Sequence, residues 1–217
     1  MRDDITPPLT ARLLLEAYVA GIFPMADGAE ARDVFWVDPQ LRGILPLDGL
    51  HVSRSLRKRI RQGGFEIRVN SRFAEVLDAC ADREETWINR QIFSLYMDLH
   101  RTGYAHSVEV WMDGKLVGGL YGVALGGAFF GESMFSRRPD ASKIALVWLV
   151  ARLRAGGFTL LDTQFVTDHL ESMGAVEITR AEYQRRLDKA LRRPADFWRL
   201  PLSTDAQSVV QLSTQTS

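Results

Sequence analysis

Residues 107–162 constrain the fold more than any other stretch of the chain. Ser107-Val108-Glu109-Val110-Trp111 and residues 116–125 are β-prone runs on either side of Asp113-Gly114, a pair that tolerates the positive φ of a tight hairpin turn. Gly126-Gly127 reverses the chain again into residues 128–132, completing a three-stranded meander. Residues 141–153 place Ile144, Leu146, Val147, Leu149 and Val150 at helical spacing, Gly156-Gly157 stops the helix, and residues 158–162 read as the next strand. A β-α-β crossover beside the meander follows, and the rest of the chain must be arranged around it.

On the N-terminal side, Thr10 caps a short helix carrying Leu13, Leu14, Leu15 and Tyr18 and ended by Gly21. Residues 26–34 read as a loop, and the extended pieces around Trp36 and Ile44 are broken by Pro39 and Pro46. Residues 1–40 are therefore expected to form a small N-terminal lobe and 41–202 the main domain. Ser53 caps a helix over 53–62, residues 65–69 alternate as a half-buried strand, and helices are expected over 72–81, 89–101 and 180–191. Residues 203–217, rich in Ser, Thr and Gln, read as a disordered tail. The predicted class is α+β, a mixed but mainly antiparallel sheet flanked by helices.

Charge and cysteine content narrow the function. Lys plus Arg and Asp plus Glu both number 27, which excludes a uniformly basic nucleic-acid binder and leaves only a local basic patch. That patch is the 53–61 helix, where Arg54, Arg57, Lys58, Arg59 and Arg61 surround Leu56 and Ile60; it reads either as a phosphate-neutralising surface or as a solvated helix face. Cys80 is the only cysteine, so neither an intrachain disulfide nor a Cys-based metal cluster is available, and His51, His100, His106 and His169 lack metal-ligand spacing. No metal and no cofactor are expected. The acidic start Met1-Arg2-Asp3-Asp4 and the lack of an apolar run near ~20 residues predict a cytoplasmic protein with no membrane partner.

Chemistry concentrates in Gly131-Glu132-Ser133-Met134-Phe135-Ser136, Ala141-Ser142-Lys143 and Leu161-Asp162-Thr163-Gln164, where polar groups sit at the ends of apolar strands. Such groups are costly to bury without partners, so the run reads as a site. Asp162 and Gln164, two apart on a strand, are expected to face the same way, with the carboxylate accepting from the Gln amide. For Glu132 a buried ion pair with Lys143 is the structural alternative.

The order helix, helix, meander, helix, strand resembles the GNAT-type N-acyltransferase layout. The turn Arg137-Arg138-Pro139-Asp140-Ala141 lacks the glycines that acetyl-CoA users of that fold place before the crossover helix, which argues against an ordinary acetyl-CoA enzyme. Residue by residue, the chain resembles the leucyl/phenylalanyl-tRNA–protein transferase family from about residue 10 to 191. The carriers are Ala17-Tyr18, Gly21-Ile22-Phe23-Pro24, Trp36, Pro39, Arg42-Gly43, His51-Val52-Ser53-Arg54-Ser55, Thr86-Trp87-Ile88 and His106-Ser107-Val108-Glu109-Val110-Trp111. Further along come Val117-Gly118-Gly119-Leu120-Tyr121-Gly122, the three site motifs, Asp168-His169 and Ser172-Met173-Gly174-Ala175. In two departures, a Gly-rich segment before the first helix is missing and Met25 stands where many members have Trp.

The resemblance implies transfer of Leu or Phe, and less readily Met, from Leu-tRNA or Phe-tRNA to the α-amino group of acceptor proteins that begin with Arg or Lys, marking them for N-degron degradation. It implies that Gln164 and Asp162 are the catalytic pair, that Glu132 contacts a substrate amino group, and that Leu120, Phe129, Met134, Leu146 and Leu161 line a donor slot. Taken alone, those five are as readily core residues. Trp87 is expected to stack on the terminal adenine or to pack in the core, and Arg54, Arg57, Lys58 and Arg61 to meet tRNA phosphates. Another GNAT-like acyltransferase, an aminoacyl-tRNA-dependent peptide ligase and a non-catalytic RNA-binding module are the competing readings.

Overall fold

The computed structural model describes residues 9–31 and 33–214. Its centre is the expected meander, β5 (Ala105–Met112), β6 (Lys115–Leu125) and β7 (Ala128–Ser136), antiparallel throughout. The crossover helix α5 (Ala141–Ala155) returns the chain to β8 (Leu160–Gln164), which runs parallel to β7. β4 (Glu66–Val69) pairs with β5 at one edge, while β3 (Leu41–Ile44) lies between β8 and β9 (Val176–Thr179) at the other. The seven-stranded order is β4-β5-β6-β7-β8-β3-β9, with β7–β8 the one parallel pairing among the described strands. The mixed, mainly antiparallel sheet flanked by helices is as the sequence predicts. The extended piece around Ile44, expected beside the lobe, is instead an inner strand of the main sheet.

Caps form where side-chain chemistry places them. Thr10 Oγ1 accepts from Leu13 N at 3.2 Å at the start of α1 (Ala11–Ala20), and Ser53 Oγ accepts from Leu56 N at 3.2 Å at the start of α2 (Arg54–Gln62). α3 (Phe73–Ala81) and α4 (Arg90–Arg101) cover one face of the sheet, joined by α1 and by α7 (Arg180–Leu191). α1 packs on α4, whereas β1 (Phe23–Met25) and β2 (Phe35–Val37) form a separate two-stranded sheet. The opposite face carries α5, whose fifteen residues include twelve buried ones because the sheet lies on one side and α2 and the C-terminal segment on the other. A Cβ on Gly118 would lie 2.4 Å from the Ala141 Cβ, so the start of α5 reaches β6 only because that residue has no side chain.

The C-terminal segment corrects the sequence reading. Residues 206–214, expected to be disordered, form α8 (Ala206–Thr214) against α5 and α2, with Val209 fully buried. Asp205 starts this helix: its carboxylate accepts from Gln207 N, Ser208 N and Ser208 Oγ at 2.9, 3.0 and 2.6 Å. Before it, Arg152 donates to Phe197 O and Leu200 O at 2.9 and 3.0 Å, and Phe197 stacks on His106. A chain ending at residue 202 is therefore expected to lose about 2 kcal/mol or more in urea unfolding, the scale of one buried aliphatic side chain. An unchanged unfolding midpoint would show that α8 contributes nothing.

Candidate functional site

β7 and β8 pair only through Ala128–Leu160, Phe129–Leu161 and Phe130–Asp162; beyond that point they separate. A cavity of about 660 Å³ occupies the gap, lined by Gly131 to Ser136 of β7 and Arg137 just past it, and from β8 by Leu161, Thr163 and Gln164. At the same place β7 is irregular. Tyr121 pairs with Ser133 and Gly122 with Gly131, leaving Glu132 as the extra residue of a bulge.

Glu132 is half-buried in the cavity wall. Its carboxylate accepts from Tyr18 and Tyr96 hydroxyls, both at 2.7 Å, and the two hydroxyls lie 2.8 Å apart. The expected alternative of an ion pair with Lys143 does not form; tyrosines from α1 and α4 are the partners. Burial raises the Glu132 carboxyl to about 7, the nearby Asp162 charge adding to it and the tyrosine donors and Arg42 opposing it. Proton counting agrees. The triangle has three oxygen–oxygen contacts and the two hydroxyls supply two protons, so all three are hydrogen bonds at once only when the carboxyl carries the third.

Asp162 and Gln164 do not form the expected side-chain pair. Gln164 adopts a left-handed φ of 57°, and the β3–β8 register shifts beside it, so alternation along the strand breaks. Asp162 turns away from the cavity. It accepts from Arg42 Nε and Nη2 at 2.9 and 2.6 Å, from the Tyr183 hydroxyl at 2.8 Å, and from the Gln164 backbone N–H at 2.8 Å. Gln164 Nε2 is left buried without a partner at the cavity wall. Arg42 and Tyr183 are therefore site residues that none of the three site motifs marks; their signal in the sequence is an arginine in an apolar β3 and an aspartate in an apolar β8.

Four buried side-chain polar atoms among the described residues have no partner: Tyr121 hydroxyl, Thr163 Oγ1, Gln164 Nε2 and His169 Nε2. All four residues line this one cavity. Unsatisfied groups are rare in folded proteins, and their convergence marks where a polar ligand belongs.

Leu120, Met134, Leu146 and Leu161 line an apolar wall, joined by Leu149; Leu120 and Met134 are cross-strand partners. Phe129 does not reach the cavity. It is fully buried behind it, stacked on Phe197 with centroids 5.8 Å apart, because it belongs to the paired part of β7. Trp87 lines the cavity with its ring roughly perpendicular to that of Tyr96, and Arg83, in the same α3–α4 connection, donates to Ser133 Oγ at 2.7 Å and Met134 O at 2.6 Å. Cys80 is buried and its thiol pushed to about 12 by desolvation, which keeps it protonated and unreactive.

α2 presents Arg54, Lys58 and Arg61 to solvent beside a second groove lined by His51, Ser53, Arg54, Arg57 and Arg61. Arg57 donates to Val52 O at 3.1 Å, while Arg59 is taken up by packing, donating to Gly63 O and lying over Phe65.

Comparison with known proteins decides the family. The model described as leucyl/phenylalanyl-tRNA protein transferase matches residues 44–188, and that of its N-terminal domain matches 8–40. The chain belongs to the leucyl/phenylalanyl-tRNA–protein transferase family. It is accordingly an enzyme of the aminoacyltransferase class. Family relatives named leucyl/phenylalanyl-tRNA–protein transferase include one from Ruegeria sp. (strain TM1040), 61% identical over 96% of this chain and 99% of its own. One from Cereibacter sphaeroides (strain ATCC 17025 / ATH 2.4.3) is 60% identical over 98% and 100%. Likenesses to solved structures are loose: L-PGS from Bacillus licheniformis is 14% identical with a TM-score of 0.40, covering 74% of this chain and 55% of its own. Among the described residues no helix is long and apolar enough to cross a membrane.

Because Glu132 titrates near 7 when folded and near 4.5 when unfolded, the folded protein retains between those values a proton the unfolded chain has lost. This group's contribution to stability therefore falls as pH rises from about 4.5 to about 7 and is level above that. Urea unfolding of wild type and Glu132→Gln across that window is expected to show a difference that changes with pH; a constant difference would mean the carboxyl does not titrate there.

Proposed function

We propose that this enzyme takes Leu, Phe and less readily Met from aminoacyl-tRNA and joins it to the α-amino group of proteins beginning with Arg or Lys, marking them for degradation. The observation that carries this reading is the convergence of four unpartnered polar atoms and the raised carboxyl of Glu132 on a cavity with an apolar wall. Leu120, Met134, Leu146 and Leu161 provide a slot for a bulky apolar side chain. Met134 gives it adaptability, since a flexible thioether accommodates both a branched and an aromatic guest.

The donor ester is already activated, so the protein need only orient, deprotonate and exclude water. The acceptor amine attacks the ester carbonyl carbon; the N–C bond forms, the bond to the ribose oxygen breaks, and one proton passes from nitrogen to that oxygen. An α-ammonium titrates near ~7.7–8.0, close enough to a carboxyl near 7 for Glu132 to hold the ammonium and take its proton. Gln164 orients the reacting groups through its free amide. Asp162, bonded to the Gln164 backbone and to Arg42, acts as a positioning residue for that amide. Trp87 offers a face for the terminal adenine, and Arg54, Arg57, Lys58 and Arg61 offer sequence-independent phosphate contacts suited to more than one tRNA.

Incubation with radiolabelled Leu-tRNA or Phe-tRNA is expected to label an Arg-initiated model protein and not its Ala-initiated counterpart; no labelling of either would overturn the proposal. Met134→Ala is expected to relax donor choice by about 1–3 kcal/mol, read as the change in the ratio of kcat/KM for Leu and Phe donors. An unchanged ratio in the folded variant would move the slot elsewhere.

For the tRNA body, replacing Arg54, Lys58 and Arg61 by Ala is expected to weaken tRNA binding and flatten its dependence on salt, because fewer counterions are released. Equal losses with full tRNA and with an aminoacyl-adenosine donor would make α2 structural.

A further inference from the structure

The aminolysis derived above leaves one end of the cavity unused. Arg137, just past β7, lines it with the guanidinium 5.4 Å from the Phe135 ring centroid and no ion pair among the described residues. Lys143, half-buried in the first turn of α5, likewise has none. The N–H of Ser142, next to Lys143, donates to Oγ of Ser136, next to Arg137, at 3.2 Å, which joins the start of α5 to the end of β7; Lys143 lies behind the cavity wall, near enough for its charge to act on His169. His169, from the short α6 (Asp168–Glu171), lines the same cavity, and its buried Nε2 has no partner. Burial, and then the charge of Lys143, lower the pKa of this imidazole and so favour its neutral form, which still has one N–H to donate.

Two unpaired cations and an unpartnered imidazole nitrogen call for a small anion with several oxygens. The first-turn N–H groups of Ala141 and Ser142 are already engaged, with Arg138 O and Ser136 Oγ, so side chains rather than the helix end would hold it. Position identifies the anion. Glu132, on β7, and Arg137, just past its end, are five residues apart, roughly 16 Å of extended chain. A donor with its aminoacyl group between Glu132 and Met134 continues through the ribose toward the phosphodiester on the 5′ side of its terminal nucleoside. On the reading that this cavity takes the 3′ end of an aminoacyl-tRNA, we propose that Arg137, Lys143 and His169 form a binding site for that phosphodiester. It is separate from the α2 groove: the α2 cations meet the tRNA body, whereas this site fixes the reacting nucleotide and thereby the ester carbonyl.

A pair of minimal donors tests this, 3′-phenylalanyl-adenosine and the same compound bearing a 5′-phosphate, each reacted with an Arg-initiated peptide under single-turnover conditions. Wild type is expected to favour the phosphorylated donor by about tenfold or more in kcat/KM, the scale of charge-assisted contacts to one phosphate. Arg137→Ala and Lys143→Gln should bring that ratio toward one, His169→Ala should lower it, and Lys143→Arg should largely restore it. The α2 triple variant should keep the wild-type ratio. Matching thermal unfolding midpoints establish that the compared variants are folded; a variant that fails this is replaced by Lys143→Arg combined with Arg137→Gln, read the same way. A wild-type ratio near one, or equal losses on both donors, overturns the site. Those results alongside transfer from full tRNA leave the proposed activity standing, whereas no transfer from full tRNA removes the activity itself.

Discussion

The pairing of Arg42 with Asp162 holds the candidate site together. Both side chains are essentially excluded from solvent, at 1% and 0% exposure, where an unpaired charge would be prohibitive. The pair survives because almost every polar position is filled. Arg42 also donates to Gly21 O at 3.0 Å and lies between the rings of Phe23 and Tyr183, while Asp162 accepts from Tyr183 and from the Gln164 backbone. One interaction thus fixes β3 against β8, the end of α1 against both, and α7 over them. Removing one partner of such a pair typically costs about 3–5 kcal/mol, so these segments stand or fall together.

Around this fixed point the reactive groups sit where regular β geometry gives way. β7 and β8 separate after Phe130 and Asp162, Glu132 is displaced by a bulge, and Gln164 adopts a positive φ. Each irregularity presents a polar group to the cavity that an ideal strand would have paired or pointed into the core. The two faces of the sheet then contribute different chemistry through one opening: tyrosines from the α1–α4 face around Glu132, and aliphatic side chains from the α5 face around Met134.

The meander, the crossover and the capped helices were legible because their causes are local: Asp-Gly and Gly-Gly turns, Thr10 and Ser53 caps, and apolar periodicity. β9 and the central position of β3 were not, since a four-residue strand such as Val176–Thr179 is specified by the neighbours it pairs with rather than by its own pattern. α8 was hidden by its Ser and Gln content, although Asp205 followed by Val209 and Leu212 was a start signal with an apolar stripe. In the site, motif content located Glu132, Met134 and Gln164 at one cavity, but the period-two rule misplaced the Asp162 side chain because it assumes strand dihedrals through Gln164. Phe129 was misassigned for a related reason, as nothing local distinguishes the paired half of β7 from the half that opens. The tyrosines that hold Glu132 come from helices far away in sequence, beyond the reach of any window-based reading.

That distance has its own consequence for how the molecule assembles. Tyr18 and Glu132 are separated by 114 residues, and Arg42 and Asp162 by 120. Contacts that span most of a chain require large loops to close before they contribute, which slows folding. During synthesis the first helix and β3 leave the ribosome long before β7 and β8 exist, and Tyr183 follows later still. Until then the arginine has no buried carboxylate to meet, so the packing of the N-terminal quarter is completed only when the strands that enclose it are made.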